Sequence, residues 1–104
     1  MSDIALLYAT FPERGEAERI VRIVLEERLA ACANLLAPCT SIYRWQGAIE
    51  QSGEAPVLFK TTPQLATRLR SRIETLHPYD LPVVETWPVA AAAAVSDWIA
   101  AETG

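Results

Sequence analysis

Residues 40–62 constrain the fold of this 104-residue chain more than any other segment, because they contain two strand patterns joined by a polar turn. In residues 40–46, Tyr43 and Trp45 are two positions apart, so both rings lie on one face of a strand. Residues 57–61 contain an apolar run, typical of a strand covered on both faces. Turn-forming residues between the two strands predict a polar connection, with Gly47, Ser52, Gly53 and Pro56 as its members. Tyr43 and Trp45 then need a partner: the chain's own core, another subunit or a ligand.

Hydrophobic spacing, prolines and helix caps predict the elements of the whole chain. They are a strand at 4–10, a helix from Pro12 to near Ala31, a strand at 33–46 bent at Pro38, the hairpin return at 57–61, a helix between Thr62 and His77, a strand at 83–88, and a closing helix with a stripe of Val95, Trp98 and Ile99. This β-α-β-β-α-β order predicts an α+β, ferredoxin-like sandwich with both main helices on one face of an antiparallel sheet. The other face is left bare, and oligomerisation is a simple way to cover it.

Length and charge narrow the class of protein. A chain of 104 residues predicts one domain, spanning 1–104. Its net charge of −4 argues against nucleic acid or an anionic membrane as a partner. The sequence has no signal-peptide pattern and no apolar run long enough for a membrane span, so we expect a cytoplasmic protein. Cys32 and Cys39 are too far apart along an extended segment for a disulfide, which predicts two reduced, buried side chains.

Several activities that this topology supports in other proteins lack their residues here. The predicted third strand has one aromatic residue and one lysine, Phe59 and Lys60, which is too few for an RNA-recognition surface. The loop after the first strand has no cysteine pair for a metal carrier, and no serine or cysteine is placed to pair with the single histidine. The residues therefore support none of these activities, and we expect no required cofactor.

His77 and Lys60 could each have either a structural or a functional role. His77 follows the second helix, where it could cap the last carbonyls or contact a ligand. With Glu85 it could contribute an imidazole and a carboxylate to a zinc or copper site, which other subunits or solvent would have to complete. Lys60 is either a lysine that extends out of a half-buried strand or an anion contact in a cleft.

Five segments together resemble one family, the CutA divalent-cation tolerance proteins. In chain order they are EAERIVRIVLEERLAACANL, TSIYRWQGAIE, VLFKTT, LHPYDLP and DWI, and they are spread over most of the chain, from Glu16 to Ile99. The resemblance implies a homotrimer similar in architecture to PII signalling proteins, with hairpin arms that reach neighbouring subunits. It also implies a role in tolerance to divalent metals, notably copper, without enzymatic activity.

The resemblance implies site residues as well. Of the positions implicated in copper binding by the family, this sequence keeps His77, while Ala9 and Val83 stand where a cysteine and an acid are expected. Glu85 lies two residues after Val83, on the same strand face, and could supply the carboxylate. The family's cleft between subunits would be lined here by Tyr43, Trp45, Lys60, His77 and Tyr79.

Two functions follow as expectations, and a third possibility is a purely structural trimer that anchors another protein. The first is a non-enzymatic homotrimer for divalent metal tolerance, which binds copper or zinc weakly if it binds them at all. The alternative is a PII-like module that binds a small anionic metabolite, with Lys60 and Tyr79 in the ligand cleft and Tyr43 and Trp45 at the trimer interface.

Overall fold

The computed structural model describes residues 2–104 of the chain. Within that range, five strands and three helices follow in the order β1 (Ser2–Phe11), α1 (Arg14–Glu26), β2 (Cys32–Leu35), β3 (Cys39–Trp45), β4 (Ala48–Thr61), α2 (Ala66–Leu76), β5 (Val84–Ala91) and α3 (Ala93–Glu102).

The strands form one antiparallel sheet in the order β2-β4-β1-β5, and β3 pairs with the first half of β4. β2 and β3 together take the place of a single second strand, so the topology is the predicted ferredoxin-like one. The predicted fold class is confirmed.

The core lies between the sheet and helices α1 and α2. Alternation along β1 directs Ala5, Leu7, Ala9 and Phe11 into it, and these residues are buried. The matching positions of β4 contribute Val57 and Phe59, while the helices contribute apolar residues at helical spacing, namely Ala17, Ile20, Val21, Val24, Leu69 and Ile73. We call this helix-covered side of the sheet the first face and the opposite side the second face.

The second face is only partly covered. Helix α3 contacts β1 and β4, and its Ile99 is fully buried. Ile4, which alternation places on the second face, is also buried, and both isoleucines lie outside the main core cluster. Further along β1, Tyr8 and Thr10 are half-buried, and Trp87 of β5 is exposed. Part of this face therefore stays open to solvent in a single chain.

The hairpin differs from its predicted form. The turn is confined to Gln46 and Gly47, with φ values of 51° and 84°, and β4 begins at Ala48. Ser52, Gly53 and Pro56, predicted as turn residues, lie inside this 14-residue strand. That part of the prediction was wrong because pairing with β3 and β1 overrides the local turn preference of these residues.

The predicted bent strand at 33–46 is two strands, separated around Pro38. Helix α1 ends at Glu26 instead of near Ala31, because Arg28 adopts a left-handed φ of 59°. The amides of Arg28 and Leu29 then bond to the carbonyls of Leu25 and Val24, which is a Schellman motif without its usual glycine.

The second half of the chain follows the predictions more closely. The amide of Leu65 bonds to the Thr62 side chain at 3.3 Å, and the turn from Thr62 to Leu65 leads into α2 at Ala66 instead of forming its first helical turn. Strand β5 starts one residue later and ends three residues later than predicted. The closing helix α3 is confirmed. Of its predicted apolar stripe, only Ile99 is buried, whereas Val95 and Trp98 are exposed.

Candidate functional site

A cavity of about 600 Å³ lies between the β3–β4 hairpin and the loop from Pro78 to Val83. Its walls are mainly apolar and include three aromatic residues, two acids and one arginine: Tyr43, Trp45, Tyr79, Glu54, Asp80 and Arg44. Its volume is within the range of pockets that bind small molecules. We call it the hairpin cavity.

Strand register brings the hairpin residues of this cavity to one face. Tyr43 pairs with Glu50 and Trp45 with Ala48, so alternation along β4 places both rings on the same face as Glu54. Ala55 pairs with Phe11 and lies on the first face of the sheet, so its neighbour Glu54 lies on the second face. The face of the hairpin that holds Tyr43, Trp45 and Glu54 is therefore continuous with the second face. The predicted shared face of Tyr43 and Trp45 is therefore present, and both side chains are exposed in the single chain.

Tyr79 connects the loop to the hairpin. Its hydroxyl donates a hydrogen bond to Oε2 of Glu54 at 2.8 Å. Burial raises the pKa of the Tyr79 hydroxyl well above its ordinary range, and the hydrogen bond to Glu54 and the negative charge there raise it further. The neutral, proton-donating form of Tyr79 is thus favoured at the wall of the cavity.

His77 lies behind Tyr79 and is only 7% exposed. Its Nε2 is 2.7 Å from the carbonyl oxygen of Thr10, and its Nδ1 accepts a hydrogen bond from the amide of Tyr79 at 3.1 Å. Since a carbonyl accepts and an amide donates, the ring is a neutral tautomer with its proton on Nε2. The ring also stacks on Phe11, with centroids 4.8 Å apart.

These contacts correct the capping interpretation of His77. The backbone amide of His77 bonds to the carbonyl of Ile73 and so ends α2, but its side chain bonds to β1 and to the loop. The sequence could not show this, because Thr10 is 67 residues away along the chain.

His77 and Glu85 are on different sides of the sheet. Glu85 pairs with Tyr8 on the second face and is exposed, whereas His77 stacks on Phe11 of the first face. Lys60 is on the second face opposite Leu6. It lies six residues beyond Glu54 on β4, and therefore about 20 Å from the end of the cavity that Tyr79 contacts. The structure thus brings together Tyr43, Trp45 and Tyr79, but neither His77 with Glu85 nor Lys60 with Tyr79.

The residues of one chain do not fit a copper or zinc site. Both ring nitrogens of His77 already have hydrogen-bond partners. Across residues 2–104, no group of three or more His, Cys, Asp or Glu side chains is placed to hold a metal ion. Cys32 and Cys39 are both free and only half-buried, so the prediction that both side chains are buried was wrong.

Sequence reasoning missed two acids of the cavity wall, Glu54 and Asp80, and it missed Tyr8 on the second face of the sheet. Burial raises the pKa of the Tyr8 hydroxyl, and charges at Cys39, Glu54 and Glu85 act in the same direction. Glu54 lies between Gly53 and Pro56, in the segment that the sequence predicts as a polar turn, whereas the structure places it inside β4. The sequence did contain a signal for the position of Glu54. A two-residue turn at Gln46 and Gly47 pairs Trp45 with Ala48 and Tyr43 with Glu50, and alternation from Glu50 then places Glu54 on the same face as Tyr43.

The antiparallel sheet, its helix-covered first face and the long hairpin define a small α+β protein of ferredoxin-like topology. A family model described as "CutA1 divalent ion tolerance protein" matches residues 5–102, and the chain belongs to this family.

Relatives and solved structures agree with this assignment. The chain is 38% identical over 105 residues to the divalent-cation tolerance protein CutA of Thermus thermophilus, with all of both proteins covered. The crystal structure of CutA from Xylella fastidiosa superposes with a TM-score of 0.94 at 38% identity, covering 99% of this chain and 100% of that one.

A CutA structure from Archaeoglobus fulgidus, described as periplasmic, has a TM-score of 0.91 at 32% identity and covers 95% of this chain and 97% of its own. In the part of this chain that the structure describes, none of the helices has the length and apolar character needed to cross a membrane.

Proposed function

We propose that this protein acts in tolerance to divalent metal ions, copper among them, as a non-enzymatic homotrimer. The observation that carries the proposal is the set of large apolar side chains left exposed on the hairpin and near its base. Ile42 and Ile49 are 67% and 69% exposed, and Tyr43, Trp45, Leu81 and Val83 are exposed as well. Strand register places Ile42 and Ile49 on one face of the hairpin and Tyr43 and Trp45 on the other, so apolar side chains are exposed on both faces. Exposed apolar side chains in such numbers are typical of an interface between proteins.

The shape of the hairpin supports self-association. The molecule measures 45 × 25 × 23 Å, so it is elongated in one direction, and β3 and the first half of β4 pair only with each other. An isolated two-stranded ribbon is at best marginally stable in water, and packing against a neighbouring subunit would stabilise it.

Light scattering tests the assembly. We expect three times the chain mass of 11.4 kDa at micromolar concentration. Trp45→Lys should weaken the trimer by placing a charge in the proposed interface, whereas Thr67→Lys, a change on the exposed side of α2, should not. A monomer mass for the parent protein would contradict the proposal.

Growth at raised copper concentration tests the physiological role. In a strain that lacks its own protein of this family, the parent chain should restore growth in added Cu²⁺, and the Trp45→Lys variant should restore it less. Failure of the parent chain to restore growth would contradict a tolerance function.

The free cysteines support a reducing, cytoplasmic location, which fractionation of tagged protein would check.

Direct binding of copper or zinc is a separate part of the proposal, in which His77 and Glu85 would each need ligands from another subunit, because one chain holds them on different sides of the sheet. The imidazole would have to give up a hydrogen bond, and ligands from other subunits would have to complete the site. Calorimetric titration with Cu²⁺ and Zn²⁺ should compare the parent with Glu85→Gln and His77→Gln. Equal binding by all three proteins would remove both residues from any metal site.

The alternative of a PII-like module for a small anion has weaker support. Lys60 lies far from Tyr79, and two carboxylates, those of Glu54 and Asp80, line the cavity beside Tyr79. These charges oppose an anionic ligand.

A further inference from the structure

A second groove, of about 420 Å³, lies beside the end of helix α1 and along one side of helix α2. Guanidinium and hydroxyl groups of α2 line it, together with the acid that follows α1: Arg68, Arg72, Thr67, Ser71, Thr75 and Glu27. We call it the helix groove. It shares no lining residue with the hairpin cavity, so the two are separate sites.

Helical spacing places the polar groups of α2 on one side of that helix. Ser71 and Arg72 follow Arg68 by three and four residues, so the three side chains are neighbours on the helix surface. The hydroxyl of Thr75 donates to the carbonyl of Ser71 at 3.0 Å, whereas the Ser71 hydroxyl keeps its proton for another acceptor. Two guanidinium groups and one hydroxyl donor therefore face the same part of the groove.

The ion pair between Arg72 and Glu27 holds one of these guanidinium groups in position. Nε and Nη2 of Arg72 donate to the two carboxylate oxygens of Glu27 at 2.8 and 2.7 Å. A guanidinium has five N–H donors, so three of them take no part in this pair. Because its orientation is fixed in advance, Arg72 loses little side-chain entropy when it binds a ligand.

Arg68 is the charge of the groove that the fold leaves uncompensated. Within residues 2–104, no carboxylate forms an ion pair with it. It lies in the first turn of α2, where the helix dipole disfavours a cation, and one turn before the like charge of Arg72. Helix stability therefore does not account for Arg68, whereas an anion held in the groove would.

The charge of α2 is also opposite in sign to that of the chain. The helix carries three arginines against one glutamate, a net charge of +2, while the whole chain has a net charge of −4. An anion that approaches this otherwise acidic protein is therefore attracted locally to α2.

We propose that the helix groove binds a phosphate group, either free phosphate or the head of a small phosphomonoester. A phosphate dianion presents three or more terminal oxygens, which suits two guanidinium groups and a hydroxyl better than a carboxylate with two oxygens does. The volume of the groove leaves room for an organic body beside the phosphate.

This inference goes beyond the proposed role in metal tolerance and does not depend on it. The groove lies on the helices, whereas the surfaces proposed for self-association are the hairpin and the second face of the sheet. It also differs from the cleft expected for a PII-like module, because neither Lys60 nor Tyr79 lines it.

The test uses matched anions on the intact protein at constant ionic strength and about pH 8, where phosphate and its monoesters are dianions. Inorganic phosphate and phenyl phosphate are the probes, and benzoate is the carboxylate control. NMR titrations that follow the side-chain Nε–H signals of Arg68 and Arg72 should show saturable binding of phenyl phosphate. Benzoate should bind about tenfold more weakly or not at all.

The affinity of inorganic phosphate identifies the source of the phosphate group. Affinity equal to that of phenyl phosphate would show that the groove recognises the phosphate alone. Weaker binding of inorganic phosphate would show that the organic body contributes, which indicates a phosphomonoester.

Two variants that remove the same charge from α2 locate the site. Arg68→Gln should weaken the binding of phenyl phosphate by about tenfold, because it removes a charged donor from the groove. Arg70→Gln removes an exposed guanidinium two residues away, outside the groove, and should change the affinity by less than about twofold.

Absence of saturable phosphate binding would overturn the inference. Equal losses in the two variants would overturn it as well, since they would show attraction to the net charge of α2 without a site, and so would equal affinity for benzoate. Light scattering on the same samples separates these results from failure of the proposed function. A trimer that binds no phosphate refutes only the groove, and a monomer that binds phosphate refutes only the assembly.

Discussion

His77 joins three parts of the molecule through one side chain. It donates to the carbonyl of Thr10 in β1, accepts from the amide of Tyr79, stacks on Phe11 and lies against the Tyr79 ring at an interplanar angle of 49°. A buried histidine with both nitrogens in use is costly to replace, because its partners lose their hydrogen bonds as well as their packing.

Replacing His77 with alanine should therefore reduce the free energy of unfolding by about 2–4 kcal/mol, through lost ring packing and lost hydrogen bonds. Urea unfolding at a fixed protein concentration measures this. Glu74→Ala, an exposed change in the last turn of α2, is the control and should cost no more than about 0.5 kcal/mol. A loss at His77 as small as the control's would show that its contacts do not stabilise the fold.

The raised pKa of Tyr79 predicts a change in stability at high pH. Its pKa lies above the ordinary value of 10.0, chiefly through burial and then through Glu54. The neutral phenol is favoured in the folded state, so this contribution is complete below pH 10 and is lost progressively as the pH rises above it.

Urea unfolding between pH 8 and pH 11 should therefore show stability falling above about pH 10, and Tyr79→Phe should make the fall shallower. Glu54→Gln should also make the fall in stability shallower, because it removes the Glu54 charge that helps to raise the pKa of Tyr79. An unchanged alkaline slope in Tyr79→Phe would refute this account.

The hairpin shows how one turn sets the position of a whole element. Gln46 and Gly47 both have positive φ values, which is the two-residue turn that matches strand twist. This turn fixes the register from Trp45 opposite Ala48 to Cys39 opposite Glu54, and so the face on which Tyr43 and Glu54 meet. Moving the register by one residue would send Glu54 to the other face.

Gly47→Ala should destabilise the hairpin by about 1–2 kcal/mol, because a side chain is disfavoured at its left-handed φ of 84°. Gly53→Ala is the matched control. Gly53 lies within β4 without a left-handed φ, and an added Cβ there meets no atom within 4 Å. Hydrogen exchange of the β3–β4 amides, together with urea unfolding, measures both variants. Equal effects would show that turn geometry does not determine hairpin stability.

At the scale of the whole molecule, the chain completes one core and leaves a second surface open. The first face is sealed by α1 and α2, whereas the hairpin and much of the second face expose apolar side chains. If these surfaces meet in a trimer, stability includes association and depends on concentration.

The urea midpoint should therefore rise with protein concentration. For three chains that unfold and dissociate together, each tenfold increase stabilises the folded state by about 1 kcal/mol per chain. Unfolding curves over a hundredfold range of concentration test this, with Trp45→Lys expected to show a smaller dependence. A midpoint that does not change with concentration would contradict an obligate trimer.

The sequence by itself determined the type and order of nearly every element. Three local signals were enough to identify these elements: the alternation at Tyr43 and Trp45, the helical spacing in α1 and α2, and the proline at position 78 that ends α2. The prediction from sequence failed where strand pairing overrode local backbone preference. Ser52, Gly53 and Pro56 became part of a strand because β4 has partners along its length, on β1, β2 and β3.

Only the tertiary structure decided which side chains meet. His77 bonds to a carbonyl 67 residues away, and Tyr79 to a carboxylate 25 residues away. Contacts of this kind depend on the packing of the loop against the sheet, and the hydrophobic periodicity of the sequence does not predict that packing. The same packing separated His77 from Glu85 and Lys60 from Tyr79. The physical reason is that a pattern fixes the face of a residue on its own element, while the partner is fixed by how elements pack together.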